Sequence, residues 1–346
     1  MSQKIFHHPE PKTGKGSVWP VFLPFAGCPR RCVYCAQERQ TGLKAFDLEN
    51  EFVKLKQGLA RRAELKLPPI GLGFFGGTFT ALPRKWQERY LGLAGRFKEQ
   101  GVVDHVRCST RPDCLSTQSL CRMHTDGLDM VELGVQSFSD QVLDRAGRGY
   151  TQETVQAGCD QVRAAGLELG IQLLPGLPGH GGREWERDVS ETIARAPSVL
   201  RIYPCLVITG TVLADWWREG IHQPWSLSET VDRIGPALPR FWEAGIAVIR
   251  IGLAPEPELR DGLLAGPWHP ALGTLVRARA LAEILGAGSG GGIGPEDLLR
   301  VPRRYSGEFW GHQGSNRDRL AALGFDRNTV RFWDNSWFEV NVPARE

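Results

Sequence analysis

Short runs of apolar and β-branched residues alternate along the chain with longer stretches in which apolar positions recur every three or four residues. The first pattern suits buried strands and the second amphipathic helices, so the chain reads as successive βα units around a parallel sheet, an α/β fold. Strands are predicted at 18–25, 70–75, 105–108, 130–135, 167–174 and 199–208. Helices are predicted between them at 48–66, 83–100, 116–126, 151–165 and 183–195, with Pro83 acceptable in a first turn. Residues 246–253 add an edge strand and 270–285 a further helix. Eight complete units are not evident, which favours an open partial (β/α)6 barrel over a closed one. The glycine-rich stretch 286–294 interrupts the pattern and reads as a linker. The expected organisation is therefore a leader (1–16), a core barrel with its extension (17–285), a linker (286–297) and a small C-terminal α+β appendage (298–346).

With 41% hydrophobic and 23% charged residues, the composition is that of a folded globular protein. No apolar run approaches the roughly 18 residues of a membrane span. The N-terminus, with His7, His8 and Pro9, lacks the apolar core of a signal peptide. A cytoplasmic location without membrane contact is expected, where the eight cysteines stay reduced. A net charge of +3 is too small to imply nucleic acid by itself.

Three of those cysteines crowd one loop directly after the first strand, Gly27-Cys28-Pro29-Arg30-Arg31-Cys32-Val33-Tyr34-Cys35. Thiolates so close in sequence can converge on a soft-metal site, and on a cubane cluster three of them leave the fourth iron open. Other readings fit too. Structural zinc needs a fourth ligand, for which His7 or His8 could serve. A closed electron-transfer cluster would draw on Cys108, Cys114, Cys121, Cys159 or Cys205, which otherwise read as small core residues. The triplet could also be three unligated thiols.

The CxxxCxxC spacing, with the aromatic Tyr34 just before the third cysteine, resembles the signature of the radical S-adenosylmethionine (SAM) superfamily. That resemblance implies a partial radical SAM barrel and a four-iron four-sulfur (4Fe-4S) cluster held by Cys28, Cys32 and Cys35. It also implies S-adenosyl-L-methionine chelating the open iron and its reductive cleavage to a 5'-deoxyadenosyl radical. It places Tyr34 against the adenine, Gly76, Gly77 and Thr78 at the SAM amino group, Gln136 and Gln172 at the ribose, and Arg148 at the carboxylate, which suits a guanidinium fork. Each of these residues also fits a purely structural role. Thr110-Arg111-Pro112-Asp113, Glu132-Leu133-Gly134-Val135-Gln136-Ser137 and Leu173-Leu174-Pro175-Gly176-Leu177-Pro178 resemble the branch related to the Elongator catalytic subunit, and in part the oxygen-independent coproporphyrinogen III oxidases. The likeness spans 18–253. Elongator-type proteins have a wider gap between the first two cysteines and a large acetyltransferase domain, so acetyl transfer within this polypeptide is not expected. Arg201-Ile202-Tyr203-Pro204, Arg250-Ile251-Gly252-Leu253 and Gly266-Pro267-Trp268-His269-Pro270 resemble shorter bacterial members lacking that domain. Within these motifs Tyr203, Arg250 and His269 are candidate substrate residues, His269 fitting a helix cap as well.

After the linker, a strand (298–302), a short helix (303–310), the turn Gly311-His312-Gln313-Gly314, a second helix (316–323) and a strand (330–333) are expected. That order resembles the minimal core of a KH domain, whose GxxG turn admits a nucleic-acid backbone. Seven arginines against Glu308, Asp318 and Asp326 over 300–331 fit RNA contact, although a structural cap over the barrel is the favoured account of the segment. Three functions follow: a radical enzyme acting on RNA, with tRNA as partner; a radical enzyme acting on a small metabolite or porphyrinoid; or a metal-stabilised RNA-binding module. Either enzyme needs an electron donor such as flavodoxin or ferredoxin.

Overall fold

The computed structural model describes residues 2–12, 16–42, 47–288 and 298–342. Its strands are β1 (Ser2–Phe6), β2 (Val18–Leu23), β3 (Ile70–Gly76), β4 (Val103–Thr110), β5 (Met130–Gln136), β6 (Glu168–Leu173), β7 (Val199–Ile202), β8 (Val207–Ile208), β9 (Ala247–Ile251), β10 (Leu263–Ala265), β11 (Leu298–Pro302), β12 (Val330–Trp333) and β13 (Phe338–Val342). Seven of these form one parallel sheet in the order β2-β3-β4-β5-β6-β7-β9. Between them run helices Leu48–Glu64, Arg84–Glu99, Thr117–Thr125, Gln152–Ala164 and Gly182–Arg195. Strand β5 is buried at every position, as a parallel strand covered on both faces must be. Strand β2 pairs only with β3, and this edge position accommodates Pro20, which has no N–H for a second neighbour. Strands β2 and β9 are opposite edges, so the sheet curls into an open partial barrel, with 246–253 supplying the edge strand expected of it.

Three expectations need correction. Residues 199–208 are not one strand: the amide of Tyr203 is the last to join the sheet, at the Leu173 carbonyl (2.9 Å), and Pro204 cannot continue the ladder. The chain leaves there and returns as β8, which pairs with β10. The segment expected as a leader contains β1, antiparallel to β13, and Phe6 stacks on Phe338 at 4.9 Å. Helix Leu272–Gly288 runs through the start of the expected linker, whose remaining residues lie outside those described.

That helix is apolar on two sides. Leu272, Val276 and Ala280 enter the barrel core, whereas Leu281 and Leu285 enter a second core with Leu299, Phe309, Leu320 and Phe338. Over this second core lies a four-stranded sheet in the order β1-β13-β11-β12, with helices Ser306–Trp310 and Arg317–Ala322. Asn316 fastens the tail to the shared helix, its Nδ2 donating to the Ala278 carbonyl at 2.9 Å.

Candidate active site

At the C-terminal ends of the parallel strands lies a cavity of about 560 Å³. Every residue that the superfamily resemblance or the candidate substrate role picked out lines it except His269: Cys28, Cys32, Cys35, Tyr34, Gly76, Gly77, Thr78, Gln136, Arg148, Gln172, Tyr203 and Arg250. This is the face on which βα barrels build their sites, because each strand delivers its following loop there.

The cysteine loop and the glycine turn after β3 are interlocked. The Thr78 amide donates to the Ala26 carbonyl at 2.8 Å, and Thr78 Oγ1 lies 3.3 Å from Cys28 Sγ. A Cβ on Gly77 would collide with the Ala26 carbonyl oxygen, so this close approach requires glycine. Gln37 fastens the same junction, accepting from the Phe25 amide (2.5 Å) and donating to the Gly76 carbonyl (2.6 Å).

Two guanidiniums face the middle thiol. Arg148 donates from Nη1 to Cys32 Sγ and to the Tyr34 hydroxyl (both 3.1 Å), from Nε to Tyr150 (2.7 Å) and from Nη2 to the Gly134 carbonyl (2.7 Å). Arg111 lies with Nη1 3.9 Å from Cys32 Sγ and is oriented by Asp113 (2.9 and 2.8 Å). Burial, and after it the neighbouring Cys32 and Cys28, push the Cys35 thiol up to about 12, so a metal binding there has to displace its proton. Among the described residues no three His, Cys, Asp or Glu side chains gather as they would around one metal ion.

Gln136 ends β5 with φ +71°, a left-handed conformation costing of order 1–3 kcal/mol in a non-glycine residue. Its Oε1 is buried at the cavity wall without a hydrogen-bond partner. The strain is held by the next two residues: Asp188, from helix Gly182–Arg195, accepts from the Phe138 amide (2.6 Å) and the Ser137 hydroxyl (3.0 Å). His180 Nδ1 accepts from the Gly176 amide (2.9 Å), so its Nε2 carries the proton and donates to Asp188 (3.0 Å). One carboxylate thus ties together the loops after β5 and β6.

Gln172 donates to Ser109 Oγ (3.0 Å) and lies 3.4 Å from Glu132. The buried Glu132 accepts from Arg201 Nε (2.6 Å) and Arg107 Nη1 (3.3 Å). His269 is the exception to the expected site: its Nδ1 accepts from the Ala271 amide (3.0 Å), next to helix Leu272–Gly288. Its ring packs edge-on against His312, 5.2 Å away, and lines a separate cavity. The cap reading of His269 is therefore the one its position matches. Gln37, Arg111, Glu132, Asp188 and His180 carried no role in the sequence reading; Arg111 and Glu132 stood inside quoted motifs, whereas Gln37, Asp188 and His180 gave no local signal.

An open βα barrel with three thiols on the loop after its first barrel strand and a glycine turn after the second defines a class of protein. The Radical SAM superfamily is matched over residues 22–191 and the radical SAM C-terminal domain over 197–281, and the chain belongs to this superfamily of enzymes. Within it the chain is similar to the tRNA uridine(34) acetyltransferase of Dehalococcoides mccartyi, 27% identical over 277 residues (68% of this chain, 60% of that one). It is also similar to Elongator complex protein 3 of Homo sapiens, 29% identical over 186 residues (47% and 34%). An Elp3 structure from the archaeon Methanocaldococcus infernus shares the fold, with TM-score 0.58 and 23% identity over 76% of this chain and 62% of that one. The chain spans less than two thirds of the length of each of these relatives.

Proposed function

We propose that the chain holds a 4Fe-4S cluster through Cys28, Cys32 and Cys35, binds S-adenosyl-L-methionine beside it, and acts on RNA, with tRNA as the substrate. The observation that carries the cofactor reading is the thiol triplet at a cavity whose wall holds the buried, unpaired acceptor Gln136 Oε1. When bound, the cluster and SAM supply a 5'-deoxyadenosyl radical through one-electron reductive cleavage, with flavodoxin or ferredoxin as the electron source. The three thiolates hold three irons, and Arg148 and Arg111 oppose the negative charge at Cys32. Gln136 Oε1 accepts from a ribose hydroxyl, while Gln172, anchored on Ser109, borders the same space. Four of the five Arg148 N–H groups are satisfied inside the protein, leaving one Nη2 proton for the SAM carboxylate. The tRNA reading is supported by the names of the relatives and by the arginine-rich tail.

Anaerobic reconstitution and reduction provide the test. The wild type is expected to bind about four irons and to release 5'-deoxyadenosine and methionine from SAM. Cys32→Ala should abolish cleavage, and Cys159→Ala, in the buried face of helix Gln152–Ala164, should retain it. One tightly bound zinc, or cleavage surviving in Cys32→Ala, would defeat the cofactor reading. An unaltered tRNA modification profile in a deletion strain would defeat the substrate reading alone.

A further inference from the structure

At the sheet edge opposite β2, Arg201 of β7 and Arg250 of β9 are register partners. Both line the cavity, so they extend from the same face of neighbouring strands, as does Tyr203 two residues after Arg201. The charge of Arg201 is only partly met. Its carboxylate partner Glu132 (2.6 Å) is shared with Arg107 (3.3 Å), so this buried cluster carries one net positive charge. Arg250 is exposed and donates from Nε to the Gly252 carbonyl (3.1 Å). None of the ion pairs found among the described residues includes Arg250, and Glu256 is the one carboxylate lining the cavity. Guanidiniums on adjacent strands repel each other unless an anion lies between them. SAM does not remove this excess, since in the chelating form its amino group is neutral and its sulfonium balances its carboxylate.

We propose that Arg250, Arg201 and Tyr203 form a phosphate subsite for the substrate, occupied by a phosphate of the nucleotide that the enzyme modifies. Arg250 contributes the fork of its two terminal nitrogens, which matches paired phosphate oxygens. The Tyr203 hydroxyl accepts from Arg201 Nη1 at 3.2 Å, which leaves its own proton to donate to the anion. This inference rests on the RNA reading and names how that substrate is held.

The test measures binding of uridine 5'-monophosphate and of uridine to the reconstituted, SAM-loaded enzyme by equilibrium dialysis. The wild type is expected to bind the monophosphate about tenfold or more tightly than the nucleoside, as a charge-assisted contact allows. Arg250→Gln should remove that preference and Arg250→Lys should keep part of it, with iron content and melting temperature of both variants checking that they fold. Inorganic phosphate should displace the nucleotide at lower concentration than glutarate. Equal binding of nucleotide and nucleoside, a preference intact in Arg250→Gln, or better displacement by glutarate overturns the subsite. An equal loss of SAM affinity in Arg250→Gln also overturns it, by assigning the guanidinium to the SAM carboxylate. An unaltered tRNA modification profile in a deletion strain, with the phosphate preference intact, defeats the RNA reading and leaves the subsite standing.

Discussion

Arg148 is a buried charge that braces the fold and that we propose also meets the cofactor. Its guanidinium joins the Gly134 carbonyl of β5 to Cys32 of the cysteine loop and to Tyr34 and Tyr150, so it braces the loop as well as facing the cavity. Arg148→Ala removes the cation beside Cys32 and the proposed contact to the SAM carboxylate. SAM affinity is expected to fall about ten- to a hundredfold, the range of a charge-assisted hydrogen bond, measured by calorimetry on protein with its full iron content. Unchanged affinity would take Arg148 out of the SAM site and leave it only the loop.

At the scale of elements, Asp188 joins one helix to the ends of two strands. Replacing it by Asn keeps a carbonyl for the Phe138 amide but turns an amide N–H toward the His180 N–H, donor against donor. Leaving a buried donor unsatisfied costs about 1–3 kcal/mol. Because the same clamp holds Gln136 at φ +71°, Asp188→Asn is expected to lower SAM affinity as well as stability. Denaturant titration and SAM titration on the same preparation separate the two effects. Lowered stability with full SAM affinity would confine the clamp to folding.

For the whole molecule, helix Leu272–Gly288 belongs to two cores, and segment 2–12 lies against both barrel and tail. His8 stacks on Tyr305 (4.6 Å) and lies 4.9 Å from Trp242, while its Nε2 is 3.2 Å from Glu308. Deleting 289–346 bares Leu281 and Leu285, and that variant is expected to aggregate, as light scattering would show. The double change His312→Asp and Gln313→Asp leaves these contacts in place and places acidic groups on the GxxG turn. It is expected to weaken tRNA binding markedly while sparing SAM cleavage, and wild-type binding should fall steeply with added salt. Salt-independent binding, or equal binding by the double variant, would reduce the tail to a structural cap.

By itself the sequence determined the barrel strands and the cysteine loop. Parallel strands covered on both faces are continuous apolar runs, and three cysteines within residues 28–35 form a purely local pattern. It also marked the glycines whose close approach permits no side chain, as at Gly77. Only the tertiary structure decided what lies between distant segments: the pairing of β1 with β13, the grip of Asp188 on the residues after Gln136, and the sharing of Glu132 between Arg107 and Arg201. It also turned His269 from the expected site toward the tail. The physical reason is common to all four: a hydrogen bond or an ion pair is specified by both of its partners, and hydropathy periodicity along one segment records burial without recording what lies across the fold.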